Sequence, residues 1–270
     1  MLKTRVLTAT ILLLILVPLF IWSSALELRL LLALIMGLAA WEWGRLLNLS
    51  SALAVTYALV GAASVIIGLF SLELIDQGFY RAATLFWLIF VPYVLWRKPN
   101  LLNKYYRWFL LICGLIIFYV AAQAVLSARI ISLYYLLSIL AMVWMSDIGA
   151  YFIGRSIKGA KLAPTISPGK TWSGAIGGWL LVMLATVLIL VYKIPFTFIT
   201  DLSNKLNLLN LFIVMTILVI YSVMGDLFES IMKRQAKRKD SSHLLPGHGG
   251  ILDRIDALLP ILPMVLWLAR

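Results

Sequence analysis

A succession of long apolar runs, separated by short segments that hold most of the charge, is the feature that most constrains this chain. Crossing a hydrocarbon core takes about 20 apolar residues in a helix. Nine stretches approach that length: about Val6–Trp22, Leu26–Trp43, Ala52–Phe70, Phe79–Trp96, Trp108–Leu126, Ile130–Ile153, Ser173–Tyr192, Leu208–Phe228 and Ile251–Ala269. Hydrophobic residues make up 63% of the chain and charged ones 13%, whereas a soluble domain is about 25% charged. The runs are continuous rather than alternating, which excludes a porin-like barrel. The expected fold is therefore all-α, a polytopic membrane protein of about nine transmembrane helices.

Charge orients these helices. Alternating the spans from a cytoplasmic N-terminus puts 17 of the 23 Lys and Arg on the cytoplasmic side, with Arg29, Arg81, Arg129, Lys193, Lys205 and Arg270 opposite. The inside-positive rule then places the C-terminus in the periplasm. The net charge of +12 reads as topology and contact with anionic headgroups, not nucleic-acid binding. The first run has a basic start and small residues near Ala25, like a secretory signal, but its length and the immediate second span favour an uncleaved helix. With no targeting arm in view, the bias suggests a bacterial inner membrane. Cys113 is the one cysteine, so no internal disulfide forms. No long polar linker divides the chain, so residues 1–270 make one domain.

An ionisable group is costly inside a membrane, so the acidic residues are the natural guide to function. Asp147, Asp226, Glu229, Asp240, Asp253 and Asp256 gather near the cytoplasmic ends of the last four spans, so 130–270 reads as the working half and 1–129 as scaffold. Asp147 is the carboxylate most embedded in an apolar run. If the eighth span continues into the cytosol, Asp226, Ser230, Lys233 and Lys237 share a face. That face suits a metal-bound phosphate, or equally a helix end with a capping Ser and snorkelling lysines. Asp253 and Asp256 also share a face, and paired hard oxygens suit Mg²⁺. Acidic residues near a helix start need no metal, however. Gly249 and Gly250 allow turns closed to other residues.

Ser167-Pro-Gly-Lys-Thr-Trp-Ser173 contains Gly-Lys-Thr, but a phosphate-binding P-loop needs Gly where Pro164 stands. What remains is Lys170 with the hydroxyls of Ser167 and Thr171 before a helix, either an anion site or a cap. Gly174 and Gly178, four apart, let a neighbouring helix approach closely. His243 and His248, in the loop between the last two spans, form only a weak zinc signal; His248 is a candidate phosphate contact or loop-orienting group.

The stretch from Ser230 to Asp256 resembles the phosphatidate cytidylyltransferase family pattern: Ser, a Lys-Arg pair, Lys-Asp, Pro-x-His-Gly-Gly, then Asp-Arg-x-Asp. All twelve fixed positions are met by Ser230, Lys233, Arg234, Lys239, Asp240, Pro246, His248, Gly249, Gly250, Asp253, Arg254 and Asp256. The stretches around Asp147 and Lys170 are similar to that family's as well. The resemblance covers about 140–270 well and the N-terminal half by hydropathy alone. It implies that CTP and phosphatidate give CDP-diacylglycerol and pyrophosphate, with Mg²⁺, a neighbouring K⁺, and a membrane homodimer. It maps the metal-linked aspartates onto Asp226 and Asp253, with Asp256 close by. Lys170, Lys233, Arg234, Lys239 and Arg254 become candidate phosphate holders. Two rival readings are another lipid-phosphate enzyme, such as a CDP-archaeol synthase or polyprenol kinase, and a transporter; acidic residues gathered at one face favour an interfacial enzyme over a transporter.

Overall fold

A computed structural model describes residues 24–68 and 76–269, together with the isolated positions 18, 19 and 21. The expected span Val6–Trp22 thus lies almost wholly outside the described residues. Helix α1 (Ala25–Leu46) opens on a reciprocal cap: Ser24 accepts from the Glu27 amide, and the Glu27 carboxylate accepts from the Ser24 amide. It is followed by α2 (Ser51–Ile67), α3 (Gln77–Arg97), α4 (Lys104–Ile131) and α5 (Leu133–Ile157). A short antiparallel hairpin, β1 (Lys161–Ala163) and β2 (Ser167–Thr171), leads into α6 (Trp172–Val191). Then come α7 (Phe198–Lys205), α8 (Leu208–Gln235), α9 (Leu252–Ile255) and α10 (Leu258–Leu268).

Five of these helices, α3, α4, α5, α6 and α8, are long and apolar enough to cross a membrane; α2 and α10 are apolar but shorter. Helix α1 has the length but carries Glu27, Arg29, Glu42 and Arg45.

Local chemistry explains where the elements depart from simple spans. In α3, Pro92 has no amide to give Leu88, so the helix loosens to a π-turn over Phe86–Phe90. The Leu88 carbonyl is served instead by the Tyr221 hydroxyl of α8, at 3.4 Å. The last expected span is broken rather than continuous. Pro260 cannot donate to the Asp256 carbonyl, and the chain turns at Asp256 and Ala257 between α9 and α10. Sequence reading also missed the hairpin and α7. The latter is amphipathic, starts on a Thr197 cap and buries Phe198, Ile199 and Leu202.

Two packing features position the site. Helices α5 and α6 approach backbone to backbone, as the Gly174–Gly178 spacing predicts. A Cβ on Gly174 would lie 2.8 Å from the Ala150 carbonyl, and one on Gly178 would collide with the Ser146 carbonyl. This contact carries the hairpin against α5. The second feature is an aromatic cluster on Phe228, with Trp43 at 6.0 Å, Trp87 at 5.9 Å and Phe86 at 6.1 Å between ring centroids. Trp43 is pinned by its indole N–H donating to the Leu110 carbonyl at 3.0 Å. The cluster holds the end of α1 beside α8, two residues from Asp226.

Candidate active site

Asp226 lies on α8, which continues past the apolar stretch to Gln235. Ser230, one turn on, donates to Asp226 Oδ1 at 3.2 Å, and Lys233 lies on the same face, as expected. Lys237 does not: it follows the helix end with a left-handed φ of 56°, which takes it off that face. The other Asp226 oxygen receives Lys170 Nζ, at 2.7 Å, from β2. The two lie in a cavity of about 420 Å³ walled by α5, the hairpin, α6 and α8, with Asp147, Tyr151 and Arg155 also lining it. Lys170, Arg254 and Asp226 all act electrostatically on Asp147, so these expected groups share one field. Outward-facing Ile148, Phe152, Trp172 and Ile176 flank this wall.

The flanking hairpin residues divide by role. Thr171 caps α6, its hydroxyl accepting from the Gly174 amide at 3.1 Å, and Ser167 pairs with Ala163 across the hairpin. Arg234 turns away from the cavity: its Nε donates to the Ile166 carbonyl at 3.2 Å, tying α8 to the hairpin.

Behind Asp226, Lys233 donates to Glu229 and, at 2.6 Å, to Asp253 Oδ1. Asp253 Oδ2 accepts from the Ser241 amide at 2.9 Å, the Ser241 hydroxyl at 2.7 Å and the Gly250 amide at 2.8 Å. Burial raises the Asp253 carboxyl, but the Lys233 ammonium and these donors outweigh it and hold Asp253 below the usual carboxylate range. Gly249 makes the turn at φ +80°, where a Cβ would sit 2.6 Å from Asp253 Oδ2. Asp256 is buried against Gly225 of α8. Burial first, then the charge of Asp226, pushes its carboxyl up to about 7. His248 donates its amide to the Leu245 carbonyl, and among the described residues its buried Nδ1 has no partner.

The residue that sequence reading missed is Glu42 of α1. Its side chain is 0% exposed. Oε1 accepts from the Ser242 hydroxyl and, at 3.0 Å, from the Ile251 amide. Oε2 accepts from the Leu252 amide at 2.6 Å and, at 3.2 Å, shares the single Ser241 hydroxyl proton with Asp253. A residue of the half read as scaffold therefore fixes the loop that fixes Asp253. The available signal was the one applied to Asp147, a lone carboxylate in an apolar run.

The donor set can be tested for a cation. Three carboxyl groups, Glu229, Asp253 and Asp256, crowd around the Lys233 ammonium, and the Lys170 ammonium also acts on Asp256. Among the described residues Glu229 Oε1 is buried with no hydrogen-bond partner, as suits a place where a cation or water is needed. No group of three or more His, Cys, Asp or Glu among the described residues is already drawn together around one point. Mg²⁺ does not require that, since one or two carboxylates plus substrate phosphates commonly hold it. Asp226 fits such a role directly. Asp253 already takes four donors, so a metal on it has to displace one of them.

Comparison with known proteins follows this geometry. Residues 3–270 match the model of the cytidylyltransferase family. The chain belongs to that family. A phosphatidate cytidylyltransferase of Pseudomonas aeruginosa is 34% identical over 275 residues, covering 100% of this chain and 98% of that protein. Those of Haemophilus influenzae and Bacillus subtilis are 47% identical over 135 residues and 43% over 128. These two cover 48% and 47% of this chain and 44% of each relative. In this cytidylyltransferase the family signature splits spatially. Ser230, Lys233, Asp253 and Asp256 surround the Asp226 side, whereas Lys239 and Asp240 line a second cavity beyond the end of α8.

Proposed function

We propose that this chain transfers the cytidylyl group of CTP to the phosphate of phosphatidate, giving CDP-diacylglycerol and pyrophosphate at the cytoplasmic face of a bacterial inner membrane. The observation that carries the reading is the meeting of Lys170 and Asp226, from separate elements, in a cavity flanked by outward-facing apolar residues. A lipid phosphate needs a cation at headgroup depth, with its acyl chains beside apolar surface. A nucleotide needs polar access from water. The Lys170 cavity offers the first, and the Lys and Arg bias supports the cytosolic side, where CTP is present.

The lipid phosphate is already anionic, so attack on the α-phosphorus of CTP needs no strong base. Positioning and neutralisation carry the rate. Lys170 holds a phosphate oxygen, Arg254 and Arg155 add positive field, and the loop locked by Glu42 and Asp253 presents the Gly249 turn. Asp226, with Asp253 and Asp256 behind it, is the set to hold Mg²⁺; when bound, the ion screens phosphate charge and stabilises departing pyrophosphate. K⁺ as a second cation and a homodimer complete the proposal as the family resemblance implies them.

The test is pyrophosphate release by the purified full-length chain. CTP with phosphatidate and Mg²⁺ should release it. Equal release with ATP, transfer to a polyprenol rather than to phosphatidate, or no release under any acceptor would overturn the reading.

A further inference from the structure

The second cavity, of about 700 Å³, lies past the end of α8 and shares no lining residue with the Asp226 cavity. Asp226 is nine residues before Gln235, the last of α8, so the two lie about 14 Å apart along the helix at 1.5 Å per residue. The loop that lines the second cavity folds back along α8, so that Ser241 of the lining donates to Asp253. The cavity's size is that of a small-molecule site.

Its lining is cationic. Arg45 from α1 and Arg238 and Lys239 from the loop face Asp240, three cations against one carboxylate, with His243 alongside. Neither Arg45 nor Arg238 makes an ion pair among the described residues. Both are half-buried, and Arg45 rests over the Trp41 ring at 5.0 Å, which limits its freedom to turn away. Burial first, and then the charge of Arg45, lower the Arg238 guanidinium from its ordinary value. The hydroxyls of Ser241 and Ser242, also in the lining, are committed to Glu42 and Asp253. What the cavity offers a ligand is therefore guanidinium and ammonium groups, which match phosphate oxygens.

We propose that this cavity binds a soluble polyphosphate, the group that a nucleoside triphosphate carries and that pyrophosphate retains, apart from the cavity of Asp226 and Lys170. Only the choice of polyphosphate over other anions rests on the proposed reaction. The binding itself requires no turnover, so its failure is separable from failure of that reading.

Equilibrium binding of labelled pyrophosphate, and separately of CTP, to the full-length chain in nonionic detergent with EDTA present tests it. Saturable, salt-sensitive binding is expected. The double variant Arg45→Gln/Arg238→Gln should weaken it at least about tenfold, the loss of one charge-assisted bond. Lys170→Gln, in the other cavity, should leave most of the affinity. Arg238→Gln alone, and protection of Arg238 from phenylglyoxal by pyrophosphate in the unaltered chain, serve if the double variant does not fold. Binding of pyrophosphate without CTP would assign the cavity to the product, and binding of both to the shared group. Unchanged affinity in the double variant, loss only in Lys170→Gln, or no pyrophosphate binding at all would each overturn the proposal. So would phosphatidylglycerol in the micelles displacing pyrophosphate, since that makes the site one for a lipid headgroup.

Discussion

Replacing Glu42 with Gln changes one atom's chemistry and almost no volume, yet the arrangement around it tolerates no amide. Each carboxylate oxygen accepts one backbone amide, Oε1 from Ile251 and Oε2 from Leu252. Either orientation of Gln therefore points its NH₂ group at a backbone N–H. The Ser241 and Ser242 hydroxyls can rotate to accept, but the backbone cannot. One buried amide is left without an acceptor, at about 1–3 kcal/mol. The remaining bonds also lose the strength that charge gave them. Burying a neutral group instead of a carboxylate offsets part of this. A net loss of about 2 kcal/mol in the local stability of the loop is expected, or roughly 30-fold less protection of the Ile251 and Leu252 amides from hydrogen exchange. The Gly250 amide and Ser241 donate to Asp253, so kcat should fall with that protection while KM for the lipid, set at Lys170, changes less. Wild-type exchange at residues 251 and 252 together with wild-type turnover in Glu42→Gln would refute the positioning role.

Four further perturbations separate charge, packing and metal. Asp253→Asn should still insert and fold but lose roughly 100-fold or more in turnover, the upper range for a group that orients a metal site; near-normal turnover would remove Asp253 from the site. Lys233→Met leaves Glu229 and Asp253 buried without their cation and should cost about 3–5 kcal/mol in denaturation; adding Glu229→Met should recover much of that stability but no activity. Gly178→Val sets a side chain against the Ser146 carbonyl, so α5 and α6 must part, costing about 1–3 kcal/mol and lowering turnover through the displaced Lys170. Chelation with EDTA should abolish pyrophosphate release without altering the melting temperature by more than loss of a bound ion explains, and Mg²⁺ should restore it.

Local chemistry was readable from local sequence, and assembly across distance was not. The approach of α5 to α6 follows from Gly174 and Gly178, because a missing side chain is itself the contact. The break before α10 could have been read from Pro260, whose absent amide leaves the Asp256 carbonyl unserved; hydropathy averages over that signal. The hairpin escaped for a similar reason: Pro164 marks the turn, but Pro168 and Gly169 lie within β2 and argue against a strand, and strands of three and five residues are too short for periodicity to register. Lys170 was read as a cation before a helix, where a helix cap with inside-positive charge stood against an anion site. Only the fold brings it 2.7 Å from Asp226, in a cavity that no local pattern announces.

Glu42 is the sharper case, because its partners lie about 200 residues away and no pattern within α1 points to them. What could be known was the energetic anomaly: a carboxylate in an apolar run must find donors somewhere. The four donors it finds all belong to the loop that carries the family signature. Once that debt of hydrogen bonds is recognised, the division into scaffold and working halves gives way to a physical coupling. The last turn and a half of α1 supplies Trp41, Glu42 and Arg45, and through them one wall of the second cavity and the anchor of Asp253. A disturbance of α1 packing at Trp43 should therefore reach Asp253 through Glu42, with no change in any residue of the signature itself.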